Sequence, residues 1–350
     1  MMLCISTRVN IIVAVEMISK FNPARFDSFS IQKHTHREFI RQTLAGVFDS
    51  INPYSVVKKY LQNHKLPTTK KSYALGVGKA AVAMTQAVAD EISLTDSLII
   101  TKHASLPDRQ LGSVILGNHP IPKSLSAQAG IATKKFLSQL TKDDLLICLI
   151  SGGGSALMTA PIIPLDELQK VTSALLKSGA SIQEINTIRR HLDGLKGGGV
   201  VQLANGAKII SLILSDVVGD SLEAIASGIT VPDSTTKEDA LKILEKYKIE
   251  HQNFNWKETL KADNPLFVNV ENKVIASNST ALDFARSQIE GARIWREGAW
   301  NQLVCRVINR NIQGEASEVG KQLALQFKTE LQNNKKTILF IGRRGNNCDC

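Results

Sequence analysis

Four short segments concentrate the residue types that phosphate and carboxylate chemistry needs, and each lies at or near the end of an apolar run. The first is Leu75-Gly76-Val77-Gly78-Lys79-Ala80-Ala81, set between a predicted strand and a predicted helix. Glycines let the backbone turn tightly and approach an anion, while a helix start and an ammonium group supply positive potential. Gly76, Gly78 and Lys79 are therefore candidate phosphate contacts, although a plain strand-to-helix turn accounts for the same glycines. The segment is not a Walker A loop, because the four-residue spacer and the Ser or Thr after the lysine are missing.

The second segment is Ser151-Gly152-Gly153-Gly154-Ser155-Ala156-Leu157, which follows the most apolar run of the chain, Leu145 to Ile150. Gly152, Gly153 and Gly154 remove every Cβ that could bar a phosphate, and Ser151 and Ser155 add hydroxyl donors. A tight turn alone does not need three consecutive glycines, each of which costs chain entropy, so an anion cradle is the stronger reading.

The third segment runs from Asn186 to Leu192 and continues to Lys196-Gly197-Gly198-Gly199. Arg189 and Lys196 stand seven apart, about two helical turns, and so share one face of the helix predicted over Ile182 to Leu195. The planar guanidinium of Arg189 suits two-pronged recognition of a carboxylate or phosphate. Arg190 reads as part of a solvated basic face. His191 reads as a satisfied or exposed histidine, since no second metal ligand stands four residues on. In the fourth segment, Leu212 to Asp220, Asp216 ends an apolar strand, where it can hold a divalent cation or accept a hydroxyl proton. Asp220 is a helix cap or a secondary ligand.

These segments need a scaffold that gathers strand ends. Strands are predicted near residues 73–77, 97–101, 113–117, 145–150, 208–215, 273–277 and 337–341, with helical spacing near 37–50, 53–63, 79–91, 124–140, 165–178, 182–195, 236–247, 279–290 and 314–331. Short apolar strands alternating with helices indicate α/β architecture: a three-layer α/β/α arrangement around a mostly parallel, Rossmann-like sheet. Such sheets carry their chemistry at the carboxyl ends of strands, where the first, second and fourth segments fall.

Composition narrows the function classes. The chain has 350 residues, 43% hydrophobic and 21% charged, with 42 Lys and Arg against 32 Asp and Glu for a net charge of +10. That balance excludes long disorder and a disulfide-stapled mini-protein. The basic residues are scattered, so nucleic-acid binding is not expected, and a charged small substrate suits them better. No apolar run approaches the roughly 18 residues of a membrane helix, and neither a signal peptide nor a membrane partner is expected. Five scattered cysteines without zinc spacing suit a reducing cytoplasm.

Taken together, Gly76 to Ala80, Gly117-Asn118-His119-Pro120-Ile121-Pro122, Ser151 to Leu157, Asn186 to Leu192 with Lys196-Gly197-Gly198, Leu214 to Asp220, Ile225 to Gly228 with Val231-Pro232-Asp233, and Ile275 to Ala281 resemble the type II glycerate kinases, the glycerate 2-kinases with a MOFRL domain. The resemblance runs from about Arg37 to about Ile341. It implies transfer of a phosphoryl group from ATP to D-glycerate, usually at the 2-hydroxyl, with Mg²⁺. It also implies a cleft between an α/β domain and a C-terminal MOFRL domain. Lys79 matches the lysine regarded as essential in the family. By position, the Ser151 to Ser155 loop would cradle phosphate or glycerate oxygens, Arg189 would grip the carboxylate with Ser151, Ser155 and Lys196 nearby, and Asp216 would position the hydroxyl or Mg²⁺. The implied partners are ATP and D-glycerate; a homodimer is compatible with the sequence, which does not decide the oligomeric state.

The sequence departs from the family at Ile229, where Pro is usual, and at Gly199, where Arg is usual. It also lacks the segments that follow the 337–341 strand in the family. The codons able to encode Gly345 to Cys350, read one base later, can give Glu-Thr-Thr-Val-Thr, which is how the family continues. The expected organisation is therefore an irregular extension at 1–35, an N-terminal α/β domain at 36–265, an incomplete C-terminal domain at 266–342 and a frameshifted tail at 343–350. Two other readings remain: an NAD(P)-dependent hydroxypyruvate reductase, against which Gly76-x-Gly78 lacks the third glycine of the dinucleotide fingerprint, and a non-catalytic fragment.

Overall fold

The computed structural model describes residues 2–5, 13–14, 34–103, 111–250, 254–291, 293–296, 299–302, 304–312, 316–333 and 338–344. The end of the predicted tail, 345–350, and most of the extension at 1–35 lie outside them. The chain divides into two compact units, one built from Val56–Ile275 and the other from Met1–Ser55 with Ala276–Cys350.

The larger unit is organised by a six-stranded sheet of β1 (Ser72–Val77), β2 (Asp96–Thr101), β3 (Ser113–Leu116), β4 (Leu145–Ile150), β5 (Lys208–Leu214) and β6 (Val270–Ala276), in the spatial order β3-β2-β1-β4-β5-β6. β1 to β5 pair in parallel, with Val77 opposite Ile150 and Ile150 opposite Ile213. Every residue of β4 is buried, which is why Leu-Leu-Ile-Cys-Leu-Ile reads as a continuous apolar run and not an alternating one. The order reverses between β1 and β4, and their carboxyl ends, level with that of β5, open a crevice at this switch point.

The crossovers are α1 (Ala81–Glu91), α2 (Ser124–Leu137), α3 (Gly154–Leu157), α4 (Leu165–Lys177), α5 (Ile182–His191), α6 (Gly199–Leu203) and α7 (Lys237–Lys246). Leu75, Val77, Ile100, Leu146, Cys148 and Ile213 join Leu137, Leu157 and Val200 in the main core. A second core unites α4, α5 and α7 through Leu168, Val171, Leu175, Ile185, Ile188, Ala240 and Leu244. α5 begins on a capping box in which Ser181 Oγ accepts from Glu184 N and Glu184 reaches back to Ser181 N.

The predicted continuous helix through Leu195 is corrected: α5 ends at His191. Asp193 accepts a hydrogen bond from Leu195 N, a local turn that competes with the helix, and the positive-φ residues Gly197 and Gly198 follow. Arg189 and Lys196 thus do not share a helix face. Similarly, α1 starts two residues beyond Lys79 and leaves that lysine in the loop.

In the smaller unit, helices His34–Ser50 and Asn278–Gly291 pack so closely at Gly46 that a Cβ there would lie 2.8 Å from the Phe284 ring. Strand Ile338–Arg344 pairs in parallel with Val304–Ile312 and antiparallel with Met2–Ile5. Strands Arg293–Arg296, Ala299–Gln302 and Val13–Ala14 form a second small sheet.

Candidate active site

The loops leaving β1, β4 and β5 meet at the switch point, and the first two are stitched together by backbone groups. Gly78 N donates to Ile100 O at 3.0 Å, Lys79 N to Gly152 O at 3.0 Å, and Ser151 N to Val77 O at 2.9 Å. Ala80 N donates to Ser151 Oγ at 3.0 Å, so the buried Ser151 hydroxyl ties the two loops together. Gly78 sits at φ +126° and a Cβ there would lie 2.7 Å from Ser151 C, so both its conformation and its space demand glycine. Lys79 is exposed beside this junction.

Two side chains from distant segments close on the glycine loop after β4. A Cβ on Gly152 would lie 2.6 Å from Asp216 Cγ, so the carboxylate at the end of β5 fills the space glycine leaves. Gly153, at φ +91°, would carry a Cβ 3.1 Å from His119 Cδ2 and 3.4 Å from its Nε2. Among the described residues, the amides of Gly152, Gly153 and Gly154 have no hydrogen-bond partner and are left for a ligand.

Beside this loop lies a small cavity lined by Pro122, Ser155, Thr159, Arg189, Asp193 and Lys196, among others. Arg189 Nε is buried without a hydrogen-bond partner. Burial lowers the Arg189 pKa and Asp193 opposes the shift; a guanidinium so far above neutrality keeps its charge. Ser155 Oγ lies 2.9 Å from Ser227 Oγ, which donates to Asn186 Oδ1 at 3.2 Å, tying the glycine loop to α5.

Lys196 Nζ, buried, donates to Asp193 Oδ2 at 2.5 Å and to Met158 O at 2.9 Å. Burial pulls the Asp193 carboxyl upward, but Lys196, Thr159 Oγ1 and Leu195 N outweigh it and hold the group below the usual range. Lys257, whose Nζ donates to Lys196 O at 3.0 Å, is lowered to about 8 by burial.

The predicted residues therefore form two adjoining clusters. Gly78, Lys79, Ser151, Gly152, Gly153 and Asp216 gather at the strand tips, while Ser155, Arg189 and Lys196 line the cavity. Some expectations need correction. Gly76 lies within β1, where a Cβ would stand 2.7 Å from Thr85 Oγ1, so its missing side chain serves the packing of α1 on the sheet. Gly154 keeps its unpaired amide, but its missing side chain also serves packing, since it is buried and a Cβ there would lie 3.0 Å from that of Ala226. Lys196 reaches the cavity as half of a buried ion pair, its ammonium already engaged. Arg190 is not solvated: it is buried, with Nε 3.0 Å from Asp233 Oδ1 and Nη1 donating to Glu223 O. His191 is the satisfied histidine expected, with Nδ1 3.0 Å from Lys257 O and Nε2 3.3 Å from Thr235 Oγ1.

Asp220, at φ +52°, ends a short 3-10 turn. No group of three His, Cys, Asp or Glu residues able to hold a metal exists among the described residues. Residue-by-residue reasoning gave no role to His119, Asp193 and Asp233. The available signals were the Asn-His-Pro segment after a strand, the three-residue spacing of Asp193 and Lys196, and the Val-Pro-Asp segment.

A doubly wound sheet of order 3-2-1-4-5-6, with glycine-lined strand tips, defines a Rossmann-like α/β protein. Residues 39–260 match the family model described as Domain of unknown function (DUF4147). The chain is 34% identical to a D-glycerate 2-kinase of Thermotoga maritima, over 91% of this chain and 74% of that protein. It is 37% identical to a glycerate 2-kinase of Pyrococcus horikoshii, over 81% of this chain and 67% of that protein. The crystal structure of a Thermotoga maritima glycerate kinase superposes with a TM-score of 0.76 at 30% identity, over 89% of this chain and 75% of that one. The chain belongs to the glycerate 2-kinase family, and these relatives are phosphotransferases.

Proposed function

We propose that this chain transfers the γ-phosphoryl group of ATP to the 2-hydroxyl of D-glycerate, giving 2-phosphoglycerate and ADP. The observation that carries the reading is the convergence of Asp216 on the Gly152 loop beside Lys79, with the buried edge of Arg189 in the adjoining cavity. Phosphate oxygens lie against the unpaired amides of Gly152 to Gly154, and the Lys79 ammonium neutralises charge on the transferring group. Arg189 grips the glycerate carboxylate, and its place in the cavity wall beside Ser155 orients the hydroxy acid towards the strand tips. The attacking hydroxyl oxygen forms the new bond to phosphorus as the bond to the ADP oxygen breaks.

Mg²⁺ suits a site with a single well-placed carboxylate, because it is held by one or two carboxylates together with substrate phosphates and water. Asp216 is the residue that would hold it, and a bound Mg²⁺ would supply charge neutralisation at the phosphoryl oxygens.

A coupled assay following ADP release with ATP, D-glycerate and Mg²⁺ tests the reading, with ³¹P NMR distinguishing 2- from 3-phosphoglycerate. Lys79→Ala is expected to lower kcat/KM by about 10² to 10³-fold with the fold intact, since this side chain is exposed. Glycerate-independent ADP release, or NADH oxidation with hydroxypyruvate in place of phosphoryl transfer, would overturn it.

A further inference from the structure

The motif Gly117 to Pro122 carries a histidine to which the kinase reading gives no task. Its loop is held at both ends. Gly117 N donates to Thr101 O at 2.9 Å, and a Cβ on Gly117 would lie 2.7 Å from Leu157 Cα. Asn118 N donates to Ser126 Oγ at 2.9 Å, and Pro122 O accepts from Gln169 Nε2 at 2.7 Å. This pinned loop lays the Cδ2–Nε2 edge of His119 against Gly153, where a Cβ would stand 3.1 Å from Cδ2 and 3.4 Å from Nε2.

The imidazole is half-buried, and among the described residues neither ring nitrogen has a hydrogen-bond partner. A ring carried on a pinned loop, with neither nitrogen hydrogen-bonded among the described residues, is available to a ligand. The charged groups around it come from four elements: Lys79 after β1, Lys102 after β2, Asp216 after β5 and Arg189 on α5. Of these, Lys79, Asp216 and Arg189 are the groups that the kinase reading places around the phosphoryl donor and the carboxylate. Burial first, then Lys79 and Lys102, with a smaller push from Arg189 and against the opposing pull of Asp216, hold the imidazole below its ordinary pKa. The ring is thus an acceptor at neutral pH.

We propose that His119 is a catalytic residue that receives the acceptor hydroxyl of the hydroxy acid on an imidazole nitrogen and takes its proton during phosphoryl transfer. The inference rests on the glycerate kinase reading and deepens it. As the hydroxyl oxygen bonds to phosphorus, its proton passes to the imidazole nitrogen, the bond from phosphorus to the bridging oxygen breaks, and ADP leaves with that electron pair. The imidazolium then returns the proton to water. Asp216 is left to hold the cation.

The test compares His119→Gln and His119→Ala with the unmodified chain. Glutamine keeps hydrogen bonding but cannot accept a proton; alanine leaves room for free imidazole. Both variants are expected to lose about 10² to 10⁴-fold in kcat, with KM for ATP changed by less than about twofold and melting temperature unaltered. Added imidazole is expected to restore His119→Ala by about tenfold or more, a response that a merely structural role would not produce. Near-normal kcat in either variant, a loss confined to KM, or no response to imidazole would overturn the role of His119 and leave the kinase reading standing. An unmodified chain that phosphorylates no hydroxy acid would overturn both.

Discussion

Replacing Gly152 with alanine separates the placement of Asp216 from the stability of the fold. Gly152 is not in the left-handed region, so alanine imposes no backbone strain, and the nearest atoms to its new Cβ are all in the Asp216 carboxylate group. Asp216 Cγ lies 2.6 Å from that Cβ position, whereas ordinary contact begins near 3.4 Å. Oδ2 stands closer still, so the carboxylate has to retreat by more than the roughly 0.8 Å that Cγ alone requires or rotate away, a displacement of at least about the 1 Å that costs reacting groups about 10²-fold. Gly152→Ala is accordingly expected to lower kcat/KM for glycerate phosphorylation about a hundredfold, roughly 2.7 kcal/mol of transition-state stabilisation. Its melting temperature should stay close to that of the unmodified chain. Because the loss runs through Asp216, it should vanish against an Asp216→Ala background, where the methyl group has nothing to displace. Normal turnover in Gly152→Ala, or fully additive losses in the double variant, would refute the assignment of Asp216 to the reaction.

The other predictions concern buried and surface charge. Asp193→Asn leaves the buried Lys196 ammonium without its counter-charge and should destabilise the protein by about 3 to 5 kcal/mol, read as a fall in Tm on the order of 10 °C; Asp193→Leu with Lys196→Met should recover most of it. Glu184 is held down to about 2 by the hydrogen bond from Lys246 and then by Ser181 N, against an ordinary value near 4.3. Its folded form binds protons less readily than the unfolded chain, so its contribution is present above the unfolded pKa and is lost as pH falls from about 4 towards 2. Lys246 is exposed to solvent, which keeps the contribution small, and Glu184→Gln should flatten the acid limb of a Tm–pH curve slightly. An unchanged curve would show that the capping box and Lys246 add nothing at this end of α5.

The sheet was legible because parallel strands buried on both faces must be apolar throughout, and Leu145 to Ile150 could be little else at its length between a charged turn and three glycines. The site was legible for a related reason: strand tips at a switch point carry the chemistry, and the tips announced themselves through glycine. What sequence could not supply was the identity of long-range partners. Arg190 looks like one member of a basic face until Asp233 and Glu223, distant in sequence, fold against it. Lys196 looks available until Asp193 leaves the helix to claim it, a choice made by one side-chain hydrogen bond to Leu195 N. The strands at 293–312 were missed because Arg, Asn and Gln dilute their apolar pattern.

The same asymmetry explains why His119 escaped residue-by-residue reading while the glycines did not. A glycine records that something must come close; it does not record what. Gly152 and Gly153 are adjacent, yet one space is filled from 64 positions downstream by Asp216 and the other from 34 positions upstream by His119. Only the parallel register, which sets the ends of β1 to β5 level, brings a base-capable imidazole and a carboxylate to neighbouring residues of one loop. A methyl group at Gly153 would press on His119 less than one at Gly152 presses on Asp216. The closest ring atom, 3.1 Å away, is nearer to an acceptable contact, so most of the cost at Gly153 would come from the φ of +91° that an L side chain rarely adopts. The two neighbouring glycines thus serve different ends: at 152 the missing side chain makes room for a functional group, and at 153 it chiefly permits the turn that presents the loop to one.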